Sequence, residues 1–403
     1  MAPKRIKYDH SRFDIINPIC MGVLSIIGVT FIHSAQASSG GGLWKSQIMW
    51  IVIGFSLYTV ISLIDYKIFL KLAHWIYGLA IILLLLVVIP GSPLAVTIYG
   101  ATRWLNVGFT NIQPVEAGKL ACIVITASIL TRSEVGTIRE SLQVLAKMAL
   151  AILLPLILIL AQPDLGSSLT IPPFVFAQLY ASNLSKKFFA SVILAFVAVV
   201  GVALMDNRSY VNFMEENELT PMEARGQYED VAWFPFLHDY QRERILGFLS
   251  PDKVDSRGAG WNLEQSLISV ASGGLTGKGI GQGDQAQLGY LPRKVAYNDF
   301  IFSVLAEESG FLGSVVVISL FGLLLGNSVR IASVARDRFG TLLALGVATL
   351  FSVHIFVNIA MTIGMMPITG LPLPFLSHGG TFMISCCVLQ GLVQSVYRHR
   401  KSF

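Results

Sequence analysis

The chain has 403 residues, of which 54% are hydrophobic and 13% charged, with a formal net charge of +5. Ordinary globular chains carry roughly 45–50% apolar and about 25% charged residues, so the composition argues against a soluble enzyme. Nor does the basic excess imply nucleic acid, because the cations of a membrane protein gather in its cytoplasmic loops.

Apolar runs recur at 15–36, 47–64, 74–90, 114–131, 145–161, 168–182, 187–205, 299–326, 341–363 and 374–396. A membrane span needs about 20 mostly apolar helical residues, so the runs predict an all-α, polytopic integral membrane protein of about ten transmembrane helices. The start to Asp14 is polar and basic, and the run from Ile15 to Ala35 lacks a small-residue cleavage site, which predicts a retained first helix. Every second connection is basic: Lys4, Arg5, Lys7 and Arg12; Lys67 and Lys71; Arg132 and Arg139; Lys186 and Lys187; Arg330, Arg336 and Arg338; Arg398, Arg400 and Lys401. By the positive-inside rule these connections and both termini are expected in the cytoplasm. The whole of 1–403 reads as one transmembrane domain, holding a large extracytoplasmic loop at 206–298 between helices seven and eight.

The outward connections hold unusual sequence. Short ones contain Gly100-Ala101-Thr102-Arg103-Trp104 and Gln162-Pro163-Asp164-Leu165-Gly166. The long loop divides into an acidic front (Glu215, Glu216, Glu218, Glu223, Glu229, Asp230), which reads as a mobile insertion, and a Gly-rich rear. Around Leu263 to Ala271 the rear is amphipathic and is expected on the membrane surface. Its Gly273-Gly274-Leu275-Thr276-Gly277-Lys278-Gly279 run fails the P-loop pattern, leaving either a turn-rich loop or a backbone cradle for pyrophosphate.

Asp299 opens the eighth run, either as a helix N-cap or as a carboxylate able to take a proton from a sugar hydroxyl. Asp164 carries the same ambiguity, with Ser167 and Ser168 as competing caps. Glu116 and Lys119, three apart on one helix face, read either as a self-compensating pair or as a site at the membrane boundary. Glu307 and Glu308 lie deeper, about 12 Å or more along the helix from Asp299 at roughly 1.5 Å per residue, where carboxylates need a partner or water. Arg103, Arg242, Arg244, Lys278 and Arg293 belong to outward segments and read either as solvated charges or as the fixed cations that a pyrophosphate leaving group needs. Cys20, Cys122, Cys386 and Cys387 lack the spacing of a metal site or disulfide framework and read as small buried hydrophobes.

Taken together, the motifs at Gly100 to Trp104, Gln113 to Lys119, Ala161 to Gly166, His238 to Arg244, Leu291-Pro292, Asn298 to Glu308 and Asn358 to Gly380 resemble the SEDS family of shape, elongation, division and sporulation proteins. Within it, Pro372-Leu373-Pro374, Gln265-Ser266 and the Gly-Lys-Gly turn resemble the RodA-like, elongation branch of peptidoglycan glycosyltransferases. His378 stands where the family usually has Tyr, Thr381-Phe382 where small residues are usual, and the acidic insertion at 206–230 is longer than in typical members.

The resemblance implies a polymerase that joins lipid II units by inverting transfer, displacing undecaprenyl pyrophosphate, with Asp299 as its essential aspartate. The expected substrate-binding set is Arg103, Glu116, Lys119, Asp164, Arg242, Lys278, Glu307 and Ser377. No cofactor or protein-bound metal is implied, a divalent-metal requirement stays open, and the implied partners are a class B penicillin-binding protein and other elongation-complex membrane proteins. Alternative readings are a lipid II flippase or transporter and a non-catalytic scaffold. Transporters place sites near the midplane and often carry inverted repeats, whereas the polar clusters here gather at one face.

Overall fold

The computed structural model describes residues 13–37, 40–98, 101–108, 110–162, 164–220, 223–224, 226–228, 239–249, 259–291 and 293–400. Lys4, Arg5, Lys7, Arg12, Gly100, Pro163, Glu229, Asp230, His238, Pro292 and Lys401, all used in reading the sequence, lie outside them, as does the side chain of Arg293.

Among the described residues, nine helices are long and apolar enough to cross a membrane. They are α1 (Ile16–Ala35), α2 (Leu43–Leu63), α3 (Lys67–Val88), α4 (Pro114–Thr131), α5 (Leu142–Leu160), α8 (Lys186–Glu216), α13 (Ile301–Ser333), α14 (Arg338–Thr362) and α15 (Gly380–Arg398). The run at 168–182 instead forms two short pieces, α6 (Leu165–Leu169) and α7 (Ile171–Ala181), meeting at Thr170. Pro172 and Pro173 explain the break: proline lacks an N–H to bond backwards and suits the first turn of a new helix. Shorter helices after α8 among the described residues include α9 (Asp239–Leu249), α10 (Ala259–Ser272), α11 (Asp284–Gln287) and α12 (Arg293–Ala296).

A small antiparallel sheet, β1 (Ala95–Ile98), β2 (Ala101–Asn106) and β3 (Asn111–Ile112), lies between α3 and α4, pairing Val96 with Trp104 and Leu105 with Ile112. Strands this short leave little signal beside long apolar runs. Their effect is to fix Arg103, on β2, at the mouth of the bundle.

Helices α4, α14 and α15 are mostly buried, α15 packing along α2, α4 against α3, and α13 against α1 and α14. By contrast, only 6% of the apolar window of α8 is buried. At the end carrying the basic connections, the Asp14 carboxylate accepts from Asn17 N (3.2 Å) and Asn327 Nδ2 (2.7 Å) and pairs with Arg330 (2.7 Å). Asp337 caps α14 by accepting from Gly340 N (3.0 Å) and pairs with Lys67 at 3.2 Å. Such caps are worth about 1 kcal/mol each.

At the opposite end the Gly-rich rear segment is built into the bundle. Helix α13 breaks its helical geometry at Gly310 (φ 66°), and there Phe311 N donates to Gly274 O (2.9 Å) and Leu312 N to Leu275 O (3.1 Å). In return Lys278 N donates to Glu307 O and Gly279 N to Glu308 O, each at 3.0 Å. Those two N–H groups are committed to α13, which favours the turn-rich reading of this run over the pyrophosphate cradle. The preceding α10 does not simply rest on the membrane surface either: Ser266 and Ser303 share a 2.7 Å hydroxyl bond, and Ser269 Oγ donates to Ser303 O at 3.1 Å. A Cβ built on Gly277 (φ 81°) would overlap the Glu308 carbonyl. Gly277→Ala is therefore expected to cost about 1–3 kcal/mol, the usual size of an overpacking penalty. Gly201→Ala, where a Cβ meets open space, is the control, and melting of both in detergent measures the difference.

Candidate active site

Asp299 lies in the turn between α12 and α13, half-buried. It is not the helix cap: Phe300 occupies that position, without a side-chain bond to the first turn. Three successive carbonyls of the turn are held by the α14–α15 region. His378 N donates to Tyr297 O (3.0 Å), Ser377 Oγ to Asn298 O (2.6 Å), and Asn358 Nδ2 to Asp299 O (2.8 Å). Asn358 Nδ2 also donates to Leu371 O (2.7 Å), and one turn away the His354 ring meets Pro372 O at 3.1 Å. This grip fixes the backbone, leaving the Asp299 side chain to face Gly370. That glycine has φ 77°, and a Cβ on it would stand 3.6 Å from Asp299 Oδ2.

Two arginines from distant segments reach the same place. Arg244, on α9, donates through Nη1 to Ile368 O and Thr369 O, both at 3.1 Å. Arg103, on β2, donates through Nε to Gln162 O (3.0 Å), with Nη1 3.9 Å from Asp164. Asp164 itself caps α6, accepting from Ser167 N (3.1 Å) and Ser167 Oγ (2.9 Å). Burial raises the Asp299 carboxyl to about 6, Arg244 pulling it back down, Asp164 adding to the rise and Arg103 opposing it. A carboxyl poised there is ionised near neutral pH yet basic enough to accept a proton.

Asp299, Asp164 and Arg103 thus converge, and the other six residues of the expected set are engaged with protein groups as follows. Arg242 is fully buried, its Nε 3.1 Å from Asp206 Oδ2, in a separate small core with Tyr210, Met214, Tyr228 and Leu246. Lys278 binds Glu307 (2.7 Å) and Asp284 (3.0 Å), and Glu307 also accepts from Ser269 Oγ (3.0 Å) and Gln285 N (3.3 Å), so this pair braces the Gly-rich loop. The Ser377 hydroxyl serves backbone groups, donating to Asn298 O and accepting from Leu373 N (2.7 Å). Glu116 and Lys119 pair at 2.7 Å inside the bundle, with Lys119 Nζ 3.2 Å from His354 Nε2, one turn along α14 from the Asn358 that holds the Asp299 carbonyl. Sequence reasoning chose Arg242 over Arg244 and did not single out Asn358 or Gly370. Among the described residues no group of three or more His, Cys, Asp or Glu could hold a metal ion, and the four cysteines are free and buried.

The sequence model FTSW_RODA_SPOVE, described as Cell cycle protein, matches residues 13–402. The chain belongs to this family. It is 32% identical over 398 residues to the Peptidoglycan glycosyltransferase MrdB of Escherichia coli K12, covering 99% of this chain and 97% of the relative. It is likewise 32% identical to the Peptidoglycan glycosyltransferase RodA of Treponema pallidum, over 96% of this chain and 98% of that one. Among solved structures, one described as "Structural coordination of polymerization and crosslinking by a peptidoglycan synthase complex" superposes with a TM-score of 0.75 at 26% identity, over 98% of this chain and 100% of the other. As a member of the FTSW_RODA_SPOVE family, with nine long apolar helices among its described residues, the chain is a multi-pass membrane protein.

The departures from the family pattern have local consequences. His378 Nε2 lies 3.3 Å from Ser46 Oγ, and burial holds its imidazole below the ordinary value and so neutral. Thr381 Oγ1 accepts from Gln113 N at 3.3 Å, tying α15 to the segment that starts α4. His378 also touches the Asp299 turn, its ring lying edge-on to that of Tyr297 at 5.7 Å, whereas Thr381 concerns packing around the site.

Proposed function

We propose that this chain is a peptidoglycan glycosyltransferase that polymerises lipid II into glycan strands during cell elongation, with Asp299 as the general base. The observation that carries the chemistry is a half-buried carboxyl coupled to Arg244 and Arg103 at one mouth of a membrane bundle. In the proposed step the acceptor 4-hydroxyl attacks the anomeric carbon of the donor and passes its proton to Asp299. The C–O bond to undecaprenyl pyrophosphate breaks with inversion, and the leaving group departs with the bonding pair. Arg103 and Arg244 stabilise the charge that develops on the pyrophosphate, as fixed cations do in water-poor sites. Purified protein reconstituted with labelled lipid II is expected to yield polymer. Lipid scrambling without polymer, from folded protein, rejects this reading in favour of transport.

Arg presents a planar fork suited to phosphate oxygens, so lysine at either position is a poor substitute. Arg103→Ala and Arg244→Ala are each expected to lower kcat by about 10²-fold, the order lost with a transition-state donor. Unchanged turnover in both rejects their role.

We place the protein in the bacterial inner membrane with both termini cytoplasmic and the Asp299 face outside. The support is the gathering of Arg132, Lys186, Arg330, Arg338 and Arg398 at the connections opposite Asp299. A cysteine at position 220 is expected to react with an impermeant label from outside and one at position 334 to stay protected. The reverse pattern overturns the orientation. The similar solved structure's description as a synthase complex coordinating polymerization and crosslinking supports a class B penicillin-binding protein as partner.

A further inference from the structure

Arg242 and Asp206 have no part in the proposed chemistry, yet both are buried, Arg242 completely. Arg242 Nε donates to Asp206 Oδ2 at 3.1 Å, and its guanidinium lies 4.7 Å from the centroid of Tyr228 and 5.6 Å from that of Tyr210. The Tyr228 hydroxyl reaches Asp206 Oδ1 at 3.4 Å. Asp206 and Tyr210 stand one turn apart on the last part of α8, where that otherwise nearly bare helix joins the small core of Met214, Ala224, Tyr228 and Leu246. Removing one partner of a buried ion pair costs several kcal/mol, so α9 is committed to one placement on α8.

The geometry of α9 turns that commitment towards the site. Arg242 and Leu246, four apart, share the face that enters the small core, whereas Arg244, two residues from Arg242, is rotated by roughly 200° to the other side. From there Arg244 holds the carbonyls of Ile368 and Thr369, and the next residue, Gly370, borders Asp299. A rotation of α9 by one residue would withdraw Arg244. We propose that Asp206 and Arg242 are positioning residues, whose buried pair fixes the rotation of α9 and so holds Arg244 on the 368–369 carbonyls beside Asp299. The proposal rests on the reading of Asp299 as base and Arg244 as leaving-group cation.

A role confined to stabilising the small core would not alter the titration of the base. Among the described residues, three charged groups act on Asp299: Arg244 from α9, Asp164 at the start of α6, and Arg103 from β2. Weakening Arg244 leaves Asp164 less opposed, so the acid limb of the pH–rate curve moves to higher pH. The test uses full-length protein with labelled lipid II, together with hydrogen exchange at the amides of Ile368 to Leu371. Asp206→Asn is expected to speed that exchange, to lower kcat by about 10²-fold with little change in KM, and to raise the acid limb, as small misplacements of catalytic groups do. In an Arg244→Ala background it is expected to add little, because both changes act through one side chain. Tyr228→Phe, which removes only the hydroxyl on Asp206, produces the same changes in smaller measure and serves where Asp206→Asn does not fold. Unaltered exchange with an unmoved acid limb, or losses that multiply with Arg244→Ala, overturn the proposal. If wild-type protein makes no polymer, the functional reading fails, while the exchange comparison still decides the positioning.

Discussion

Asp299→Asn is expected to leave a folded, membrane-inserted protein whose polymerisation has fallen by about 10²–10⁴-fold, the usual contribution of a positioned general base. Folding is indifferent to the change because the turn is held through its carbonyls, by His378 N, Ser377 Oγ and Asn358 Nδ2, and not through the Asp299 side chain. Asparagine keeps the shape but cannot take a proton from a sugar hydroxyl. The pH dependence adds a second signature. With the carboxyl at about 6, the wild-type rate should fall as pH drops through that value, because protonation removes the base, and level off above it. The residual rate of the Asn variant should lack this limb. Near-normal glycan chains from well-folded Asp299→Asn protein, or an identical acid limb in both proteins, would remove Asp299 from the chemistry.

Much of the architecture was legible because a bilayer imposes one strong rule: about 20 apolar residues for each crossing. The rule failed where length and helicity part company, as at α6 and α7, where Thr170 and the two prolines divide the sixth run. It also said nothing of where a helix ends outside the lipid. Helix α8 continues past residue 205 to Glu216, carrying the first two glutamates of the acidic front, read as a mobile insertion, into regular helix. At the candidate site, Asp299 stood out within a motif, but which of the named charged groups meet it did not. In Arg242-Glu243-Arg244 the arginines point to opposite sides of α9, so one meets the small core beside α8 and the other the carbonyls of Ile368 and Thr369. No local pattern tells which. Arg103 and Asp164 were readable as polar groups at one mouth, but their meeting depends on a sheet whose strands are too short to stand out. Ser377 shows what sequence leaves unsaid: its hydroxyl bonds the backbone of Asn298 and Leu373, which no motif discloses.

Glu116 and Lys119 are where a structural and a substrate-binding role diverge most sharply. Lys119 is wholly buried, with Glu116 Oε1 at 2.7 Å, His354 Nε2 at 3.2 Å and the Phe382 ring centroid at 5.6 Å. Phe351, Leu389 and Cys386 help to close this chamber. Lys119→Met removes the cation and strands the Glu116 carboxylate inside the bundle, where an unpaired charge costs about 3–5 kcal/mol. Little folded protein is expected in detergent. Replacing both, as Glu116→Gln with Lys119→Met, removes the two charges together, and such neutral replacements are often tolerated. The double variant is therefore expected to recover most of the melting temperature lost in Lys119→Met. Polymerisation then separates the roles. If the pair only braces α4 against α14, the double variant polymerises within about tenfold of wild type, because Asp299, Arg103 and Arg244 are untouched; 1.36 kcal/mol of barrier corresponds to that factor. A well-folded double variant that binds lipid II poorly or makes no polymer would instead return Glu116 and Lys119 to the substrate path.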